Sequence, residues 1–263
     1  MMATMTSEGK LVGKWALVTG STKGLGQTTA AWLAHEGANI VVHGMEEELI
    51  EPAVAIMRRH GVEAWGMAAD LSRVEEMHRL ATAVLARVPH LDILINNAGG
   101  SRGSRGNFWD VSDEGAEWTM HVNWRATFVL SQHAARQMIE RGIRGRIVNI
   151  STIGAHYNHR ERLVYNAAKA AIEAATRNMA YELGPHGIAV NCVAPGNMAE
   201  RPGAPRDEER WRAQAEQWIP LGRVGTAEDI AAAVRFFCLP ESAYTTGQTL
   251  LVTGGYAMYL PGD

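Results

Sequence analysis

The sequence predicts an α/β fold: one doubly wound, parallel sheet of seven strands with helices on both faces. Two observations support this prediction. Short apolar runs alternate with longer segments of helical periodicity along the whole chain, which is the pattern of strand–helix–strand crossovers. The first apolar run also leads directly into a turn with three glycines, a common link between a first strand and a first helix. We therefore expect a ligand crevice at the carboxyl ends of the strands.

Seven apolar runs are predicted to form the strands, with about six helices between them. In chain order the runs are WALVTG, ANIVVHG, VEAWGMAAD, LDILINNAG, GRIVNIS, IAVNCVAPG and TLLVTGG. An acidic run from Glu46 to Glu48 is expected to open the second helix, and Arg58 and Arg59 lie near its other end, as the helix dipole favours. Ser72 is predicted to be the N-cap of the next helix.

Length and composition predict a single domain over residues 1–263. The chain is 46% apolar, enough for one substantial core, and no linker-like segment divides it. Residues 1–12 are expected to be a flexible N-terminus, and residues 197–220, after the sixth strand, a lid over the substrate. The formal net charge of −3 favours neither nucleic acid nor an anionic membrane surface as a partner.

Hydropathy and cysteine usage predict a cytoplasmic protein without a metal. The first residues lack an apolar signal core, and no segment approaches the roughly 18 apolar residues of a membrane span. Cys192 and Cys238 are too few for a disulfide framework and are expected in the core. His156 and His159 have no carboxylate and third ligand at metal spacing nearby, so no metal site is predicted.

The glycine turn TGSTKGLG, residues 19–26, is a candidate site for a pyrophosphate. Glycines let a backbone approach the ligand closely, and the helix that follows offers free N–H groups and the positive end of its dipole. The spacing G-x-x-x-G-x-G differs from the G-x-G-x-x-G fingerprint, and a tight turn without a ligand is the alternative.

Tyr165 and Lys169 form a candidate catalytic pair. They are four residues apart in YNAAK, hence on the same face of a helix. An ammonium group near a phenol favours the phenolate, the form that a general base for an alcohol needs. Upstream, Ser151 and Thr152 end a strand with two hydroxyls that can bind a substrate oxygen, although solvated residues at a strand end are the simpler alternative.

Together these motifs resemble the short-chain dehydrogenase/reductase family, in its branch of about 250 residues. The resemblance runs from about Lys14 to Tyr256, nearly the whole chain, and implies a Rossmann-type fold. The matching segments, in order, are TGSTKGLG, AAD at Asp70, NNAG at 96–99, VNW at Asn123, YNAAK, APG at 194–196 and TGQTLLVTGG.

The resemblance implies hydride transfer between a nicotinamide cofactor and a carbinol carbon. By analogy Tyr165 takes the hydroxyl proton, Lys169 holds the nicotinamide ribose, and Asn123 anchors a water that relays protons. The family's serine lies thirteen residues before the tyrosine, where this chain has Thr152, so Thr152 is expected to polarise the substrate oxygen. Ser151 is the alternative if the loop is shifted.

The same resemblance assigns a set of residues to the dinucleotide. They are Gly20, Thr22, Lys23, Gly24, Leu25, Gly26, Gly44, Met45, Asp70, Leu71, Asn97, Ala98, Gly99, Tyr165, Lys169, Pro195, Gly196 and Met198. One position departs from the family: Glu200 stands where a threonine usually binds the carboxamide.

The end of the second strand favours NAD over NADP. An acid at the first of two positions would bind the ribose hydroxyl of NAD, and an arginine at the second would bind the phosphate of NADP. Gly44 and Met45 stand at these positions, so neither signal is present. Lys23 accompanies NADP in some relatives, whereas the acidic run from Glu46 to Glu48 opposes a phosphate. NAD is the prediction and NADP remains the alternative.

The segment between Thr152 and Tyr165 predicts a small, polar, anionic substrate, such as a hydroxy acid or an acidic, sulfonated or phosphorylated sugar. It carries basic and polar side chains in place of apolar ones. Arg105 and Arg206, in two other loops, are expected to converge on the same crevice. The predicted substrate-binding residues are Arg102, Ser151, His156, Asn158, His159, Arg160 and Arg201. Any one of these basic residues can instead face solvent or a neighbouring subunit.

Three other functions remain open at this point. A neutral polyol or sugar dehydrogenase and an NADPH-dependent carbonyl reductase would use the same chemistry. A cofactor-sensing protein would keep the fold without turnover, but it would not need Tyr165, Lys169 and Asn123. The family resemblance further implies a homotetramer.

Overall fold

A computed structural model of the chain describes residues 9–198, 213 and 217–256. Within these residues one parallel sheet has the order β3-β2-β1-β4-β5-β6-β7, which confirms all seven predicted strands. The strands are β1 (Trp15–Val18), β2 (Asn39–Gly44), β3 (Ala64–Ala68), β4 (Ile93–Asn96), β5 (Arg146–Ile150), β6 (Ala189–Pro195) and β7 (Thr249–Val252).

Helices cover both faces of this sheet. They are α1 (Gly24–His35), α2 (Ile50–Arg58), α3 (Val74–Arg87), α4 (Asp113–Met120), α5 (Ala126–Glu140), α6 (Leu163–Leu183) and α7 (Ala227–Cys238). A π-turn, His121–Arg125, joins α4 to α5 without a break in the helical path. The doubly wound α/β fold is therefore confirmed.

The core has two halves, one on each side of the sheet. Because successive side chains of a strand point to opposite faces, Ala16 and Val18 of β1 pack with α1, α2 and α7, whereas Trp15 and Leu17 pack with α3, α5 and α6. The strand order reverses between β1 and β4, so the loops after these two strands diverge and leave a crevice at the carboxyl edge.

The expectation that Ser72 caps α3 was wrong. That helix begins at Val74, and Arg73 occupies the N-cap without a capping side-chain bond. The Ser72 hydroxyl instead donates to Asp70 Oδ1 over 2.7 Å. A short serine side chain prefers such a local carboxylate when one is two residues away.

The expected flexible N-terminus does not extend to residue 12. Leu11 is 4% exposed and belongs to the core, and its N–H donates to the carbonyl of Glu36 over 2.8 Å. Residues 1–8 lie outside the described residues, as do most of the predicted lid, including Arg201, Arg206 and Glu200, and the tail from 257 onward.

Both cysteines lie in the core, as predicted. Cys192 is on β6 and Cys238 ends α7, and each is a buried free thiol. Burial raises the pKa of each thiol to about 12, so neither is a nucleophile at neutral pH. Over the described ranges, no helix is both long enough and apolar enough to span a membrane.

Candidate active site

One cleft of about 810 Å³ opens at the carboxyl edge of the sheet, where the strand order reverses. That volume is within the range of pockets that hold a cofactor or a drug-sized ligand. Every residue that the resemblance assigns to a dinucleotide lines this cleft, and so do Thr152, Ser151 and His159. The cleft thus brings together segments from all parts of the chain between residues 20 and 227.

The glycine loop forms a cradle without side chains at one end of the cleft. Gly20 and Gly24 have φ angles of +64° and +56°, which favour glycine. A Cβ on Gly26 would lie 2.1 Å from the carbonyl oxygen of Gly20. Lys23, at the N-cap of α1, makes no side-chain capping bond, so the first-turn N–H groups remain available to an anion. These features fit a dinucleotide pyrophosphate.

The segment after β4 holds this loop in place. Asn97 Nδ2 donates to the carbonyls of Thr19 and Gly20 over 2.8 and 3.2 Å, and the N–H groups of Asn97 and Ala98 both donate to Thr19 Oγ1 over 2.9 Å. These bonds join the carboxyl ends of two neighbouring strands, so the glycine loop is fixed before any ligand binds.

The end of β2 is shaped by Gly44. A Cβ there would lie 2.5 Å from Thr22 Cγ2, so a larger residue would displace the threonine. Nearby, Lys23 Nζ lies 3.4 Å from Glu46 Oε1, and both residues line the cleft. Asp70 also lines it, with Oδ1 accepting from the N–H and the hydroxyl of Ser72.

Lys169 and Tyr165 lie at the other end of the cleft, one helical turn apart on α6. Lys169 is 2% exposed, its Nζ donates to the carbonyl of Ile150 over 2.7 Å, and it lies 5.7 Å from the centre of the Tyr165 ring. Burial lowers the pKa of Lys169 to about 8 because the ammonium loses its hydration. The distance to the ring centre places the ammonium near the aromatic ring of Tyr165.

Asn123 lies in the π-turn, behind the wall of the cleft. Its side chain is fully buried; Nδ2 donates to the carbonyls of Gly100 and Thr119, each over 2.7 Å. A Cβ on Gly99 would lie 2.6 Å from Asn123 Oδ1 and 3.1 Å from Lys169 Nζ. π-turns are frequent at functional sites. The Asn123 side chain supports the loop after β4 from behind and does not itself line the cleft.

The two candidate hydroxyls have different environments. Ser151 is 2% exposed, and its hydroxyl donates to Glu173 Oε1 over 2.6 Å. Thr152 is partly buried and lines the cleft, and its Oγ1 accepts from the N–H of Gly154 over 3.3 Å. Because the Ser151 proton is committed to a carboxylate, Thr152 is the better placed donor for a substrate oxygen.

The structure brings only part of the predicted substrate set to the cleft. The lining that the structure describes includes His159 and Ser151, together with Arg105 and Arg162. It does not include Arg102, His156, Asn158 and Arg160. Arg201 lies outside the described residues.

Local geometry accounts for the positions of two of these side chains. His156 Nε2 lies 3.0 Å from Glu173 Oε2, so its ring is held by α6. The chain turns at Gly103, where φ is +73°, and exposed Arg102 and Arg105 lie on either side of this turn. Arg105 Nε donates to Ser101 Oγ over 3.1 Å.

Some residues of the cleft were missed in the sequence. Trp118 and Val122 line it from α4 and the π-turn, four residues apart, a spacing that helical periodicity could have revealed. His43 also lines it, directly before Gly44, and a polar residue at the end of an apolar strand was the available signal. Asn166 and Asn197 had no distinguishing pattern. In the ranges the structure describes, no group of three His, Cys, Asp or Glu side chains could hold a metal ion.

Comparison with known proteins gives consistent matches over nearly the whole chain. A family model described as enoyl-(acyl carrier protein) reductase matches residues 20–257. The 3-oxoacyl-(acyl-carrier-protein) reductase FabG of Aquifex aeolicus is 36% identical over 247 residues, which cover 94% of this chain and 98% of that protein.

Two further proteins are similar over comparable lengths. Glucose 1-dehydrogenase 2 of Bacillus subtilis is 30% identical over 250 residues, 95% of this chain and 96% of that protein. The crystal structure of acetoin dehydrogenase from Enterobacter cloacae superposes with a TM-score of 0.85 at 34% identity, covering 95% of this chain and 98% of that one.

Proposed function

Because the chain belongs to the short-chain dehydrogenase/reductase family and is an oxidoreductase of CH–OH groups, we propose that it interconverts a small, polar, anionic secondary alcohol and its ketone. One observation carries the proposal: a single cleft combines a glycine cradle at one end with Thr152, Tyr165 and Lys169 at the other. A nicotinamide dinucleotide, when bound there, supplies the hydride acceptor or donor.

Three side chains of the cleft carry out the proton transfer and bind the substrate oxygen. In the oxidative direction the Tyr165 phenolate takes the proton of the substrate hydroxyl, and in the reductive direction the phenol returns it. The nearby Lys169 ammonium favours the phenolate. Thr152 donates its hydroxyl to the substrate oxygen and holds it next to Tyr165. Tyr165 and Thr152 thus act on the same substrate oxygen, and Lys169 acts through Tyr165.

Thr152→Val is expected to lower kcat by about a hundredfold, because a preorganised donor to the reacting oxygen is lost without a change of shape. Thr152→Ser should retain most of the activity. Ser151→Ala is the matched control: it removes a bond to buried Glu173, so it should lower the unfolding free energy by about 1 to 3 kcal/mol and kcat only slightly. Steady-state kinetics and thermal melts of the three variants measure both effects. A larger kcat loss in Ser151→Ala would reverse the assignment.

Basic residues of the cleft support an anionic substrate. Arg105, His159 and Arg162 all line the cleft. Guanidinium groups bind carboxylate, sulfonate or phosphate oxygens through two parallel bonds. A neutral polyol or sugar is the second candidate, because the similar proteins include an acetoin dehydrogenase and a glucose 1-dehydrogenase.

We expect an anionic substrate to give a kcat/KM at least about tenfold above that of its neutral analogue, which is the contribution of one charge-assisted hydrogen bond. The experiment measures initial rates of nicotinamide reduction with NAD and with NADP. The panel pairs hydroxy acids, acidic sugars and sugar phosphates with neutral polyols of the same carbon skeleton. Equal rates for both members of each pair would favour the neutral dehydrogenase.

Arginine variants provide the control for this experiment. Arg105→Leu and Arg162→Leu should each raise KM for the anionic compound of a pair about tenfold or more. The KM for the neutral compound should stay unchanged. Arg102→Leu and Arg160→Leu remove the same charge from exposed positions outside the cleft and should have little effect. Uniformly mild effects in all four variants would contradict an anionic substrate.

NAD is the cofactor that the residues around Gly44 support. Thr22 fills the space beside Gly44, and neither Gly44 nor Met45 has a charged side chain that could bind a 2′-phosphate. Glu46 lines the cleft and pairs with Lys23, so a phosphate beside the Lys23 ammonium would be repelled by the neighbouring carboxylate. A higher kcat/KM with NAD than with NADP in the same panel would support this preference.

Exposed apolar residues also support the proposed homotetramer. Tyr181 on α6 and Tyr244 are 88% and 103% exposed, and Leu250 and Leu251 lie on β7 at the edge of the sheet. Large apolar side chains on an open edge strand are a common feature of subunit interfaces.

A further inference from the structure

His43 occupies an unusual position in the nucleotide end of the cleft. It lies on β2 directly before Gly44, it is 3% exposed, and it lines the cleft. An imidazole buried this deeply needs partners for both ring nitrogens, since an unpaired buried polar atom is costly. The partners that it has belong to two other segments of the cleft.

Both nitrogens of the His43 ring are committed. The N–H of Gly20 donates to Nδ1 over 3.1 Å, so Nδ1 carries no proton. The opposite nitrogen, Nε2, lies 3.1 Å from the carbonyl of Ala69 and therefore carries the proton that it donates there. The ring is thus a neutral imidazole in one tautomer.

The backbone of His43 adds two more bonds to the same loop. Its N–H donates to Ser21 Oγ over 3.1 Å, and its carbonyl accepts from the N–H of Ser21 over 2.7 Å. The ring and the backbone together join the glycine loop after β1, the end of β2, and the residue before Asp70 at the end of β3. These are the three segments that would surround the adenosine half of a dinucleotide.

We propose that His43 is a positioning residue that fixes these three segments in the geometry that binds the dinucleotide, an inference that rests on the proposed function. The Gly20 N–H is consumed by the imidazole, so it does not bind a phosphate. Anionic oxygens are left to the N–H groups of the first turn of α1.

Two chemical features make the ring suited to this role. A protonated imidazole would present a second N–H to the Gly20 N–H, so only the neutral form supports the loop. Burial keeps it neutral and lowers the pKa of His43 to about 4.

Three variants separate the two ring bonds. His43→Asn keeps an acceptor near the position of Nδ1, His43→Gln can retain the donor near Nε2, and His43→Leu keeps neither. Val42→Ala is the matched control, because Val42 is a fully buried neighbour on β2 that does not line the cleft. It should destabilise the core without changing the loop.

Two measurements on the full chain test the proposal. The dissociation constant for NADH, from fluorescence titration, should rise about tenfold or more in His43→Leu and less in His43→Asn, while Val42→Ala stays near wild type. In the protein without cofactor, hydrogen exchange of the Gly20 amide should accelerate in His43→Leu and His43→Gln and remain slow in His43→Asn.

The outcomes distinguish this proposal from the function on which it rests. Unchanged NADH affinity and slow Gly20 exchange in all three His43 variants would overturn the role of His43. A wild-type protein that binds neither NADH nor NADPH would overturn the proposed function, and the exchange of the Gly20 amide would still decide whether His43 holds the loop. If His43→Leu does not fold, the contrast between the Asn and Gln variants decides the question.

Discussion

Tyr165→Phe is expected to lower kcat by about a thousandfold while the dissociation constant for NADH stays within about a factor of two. The substitution removes only the phenol oxygen, which is the proposed base for the substrate hydroxyl. The ring remains, so its packing near Lys169 is retained. Single-turnover kinetics at saturating cofactor, with a parallel titration of NADH, measure the two effects separately.

Tyr157→Phe is the matched control for this prediction. Tyr157 lies eight residues upstream, is 38% exposed, and does not line the cleft, so its phenol should not affect turnover. A Tyr165→Phe enzyme with near-normal kcat would show that another group takes the proton. A wild-type protein that binds cofactor but turns over no member of the substrate panel would instead favour a cofactor sensor.

The prediction of strands from the sequence succeeded for a simple physical reason. A parallel sheet covered on both faces requires apolar residues at nearly every strand position, as in Trp15–Val18, and such runs are distinct from the amphipathic helices between them. The position of the cleft followed from the same pattern, because parallel strands place all their carboxyl ends along one edge. Glycines 20, 24 and 26 then indicated which loop could approach a ligand closely.

The direction of individual side chains in the loops could not be predicted in this way. Arg102 and Arg105 both stand between a serine and a glycine in the sequence, but the chain turns at Gly103 between them and the described lining of the cleft includes only Arg105. His156 is basic and near Tyr165 in sequence, but buried Glu173, seventeen residues away, holds its ring. These outcomes depend on long-range partners, which a local pattern does not contain.

Lys169→Met is expected to lower kcat by about a hundredfold or more and, at pH 7, to make the protein more stable than wild type. The first effect follows from the loss of the ammonium that favours the phenolate. The second follows from burial: the shift of the Lys169 pKa from 10.5 to about 8 means that the charged form costs the folded state on the order of 3 kcal/mol. Loss of the bond to the Ile150 carbonyl offsets about 1 kcal/mol of that gain.

The sign of this stability effect can be checked by changing the pH. Between pH 8 and 10.5 the unfolded chain holds more protons at Lys169 than the folded chain does. The free energy of unfolding of the wild type therefore rises with pH over this interval because of this group. The stability advantage of Lys169→Met should therefore be complete below pH 8 and disappear toward pH 10.5. Denaturant unfolding of both proteins across this interval measures the difference.

Lys10→Met is the matched control, since Lys10 is an exposed lysine paired with Glu241 at the surface. Such pairs contribute little, so this variant should change stability by less than about 1 kcal/mol at every pH. A Lys169→Met variant less stable than wild type at pH 7 would contradict this prediction, because it would show that the ammonium stabilises the folded state. A gain in stability with a loss of turnover would instead show that the fold tolerates a buried charge at Lys169 because the chemistry of the cleft requires it.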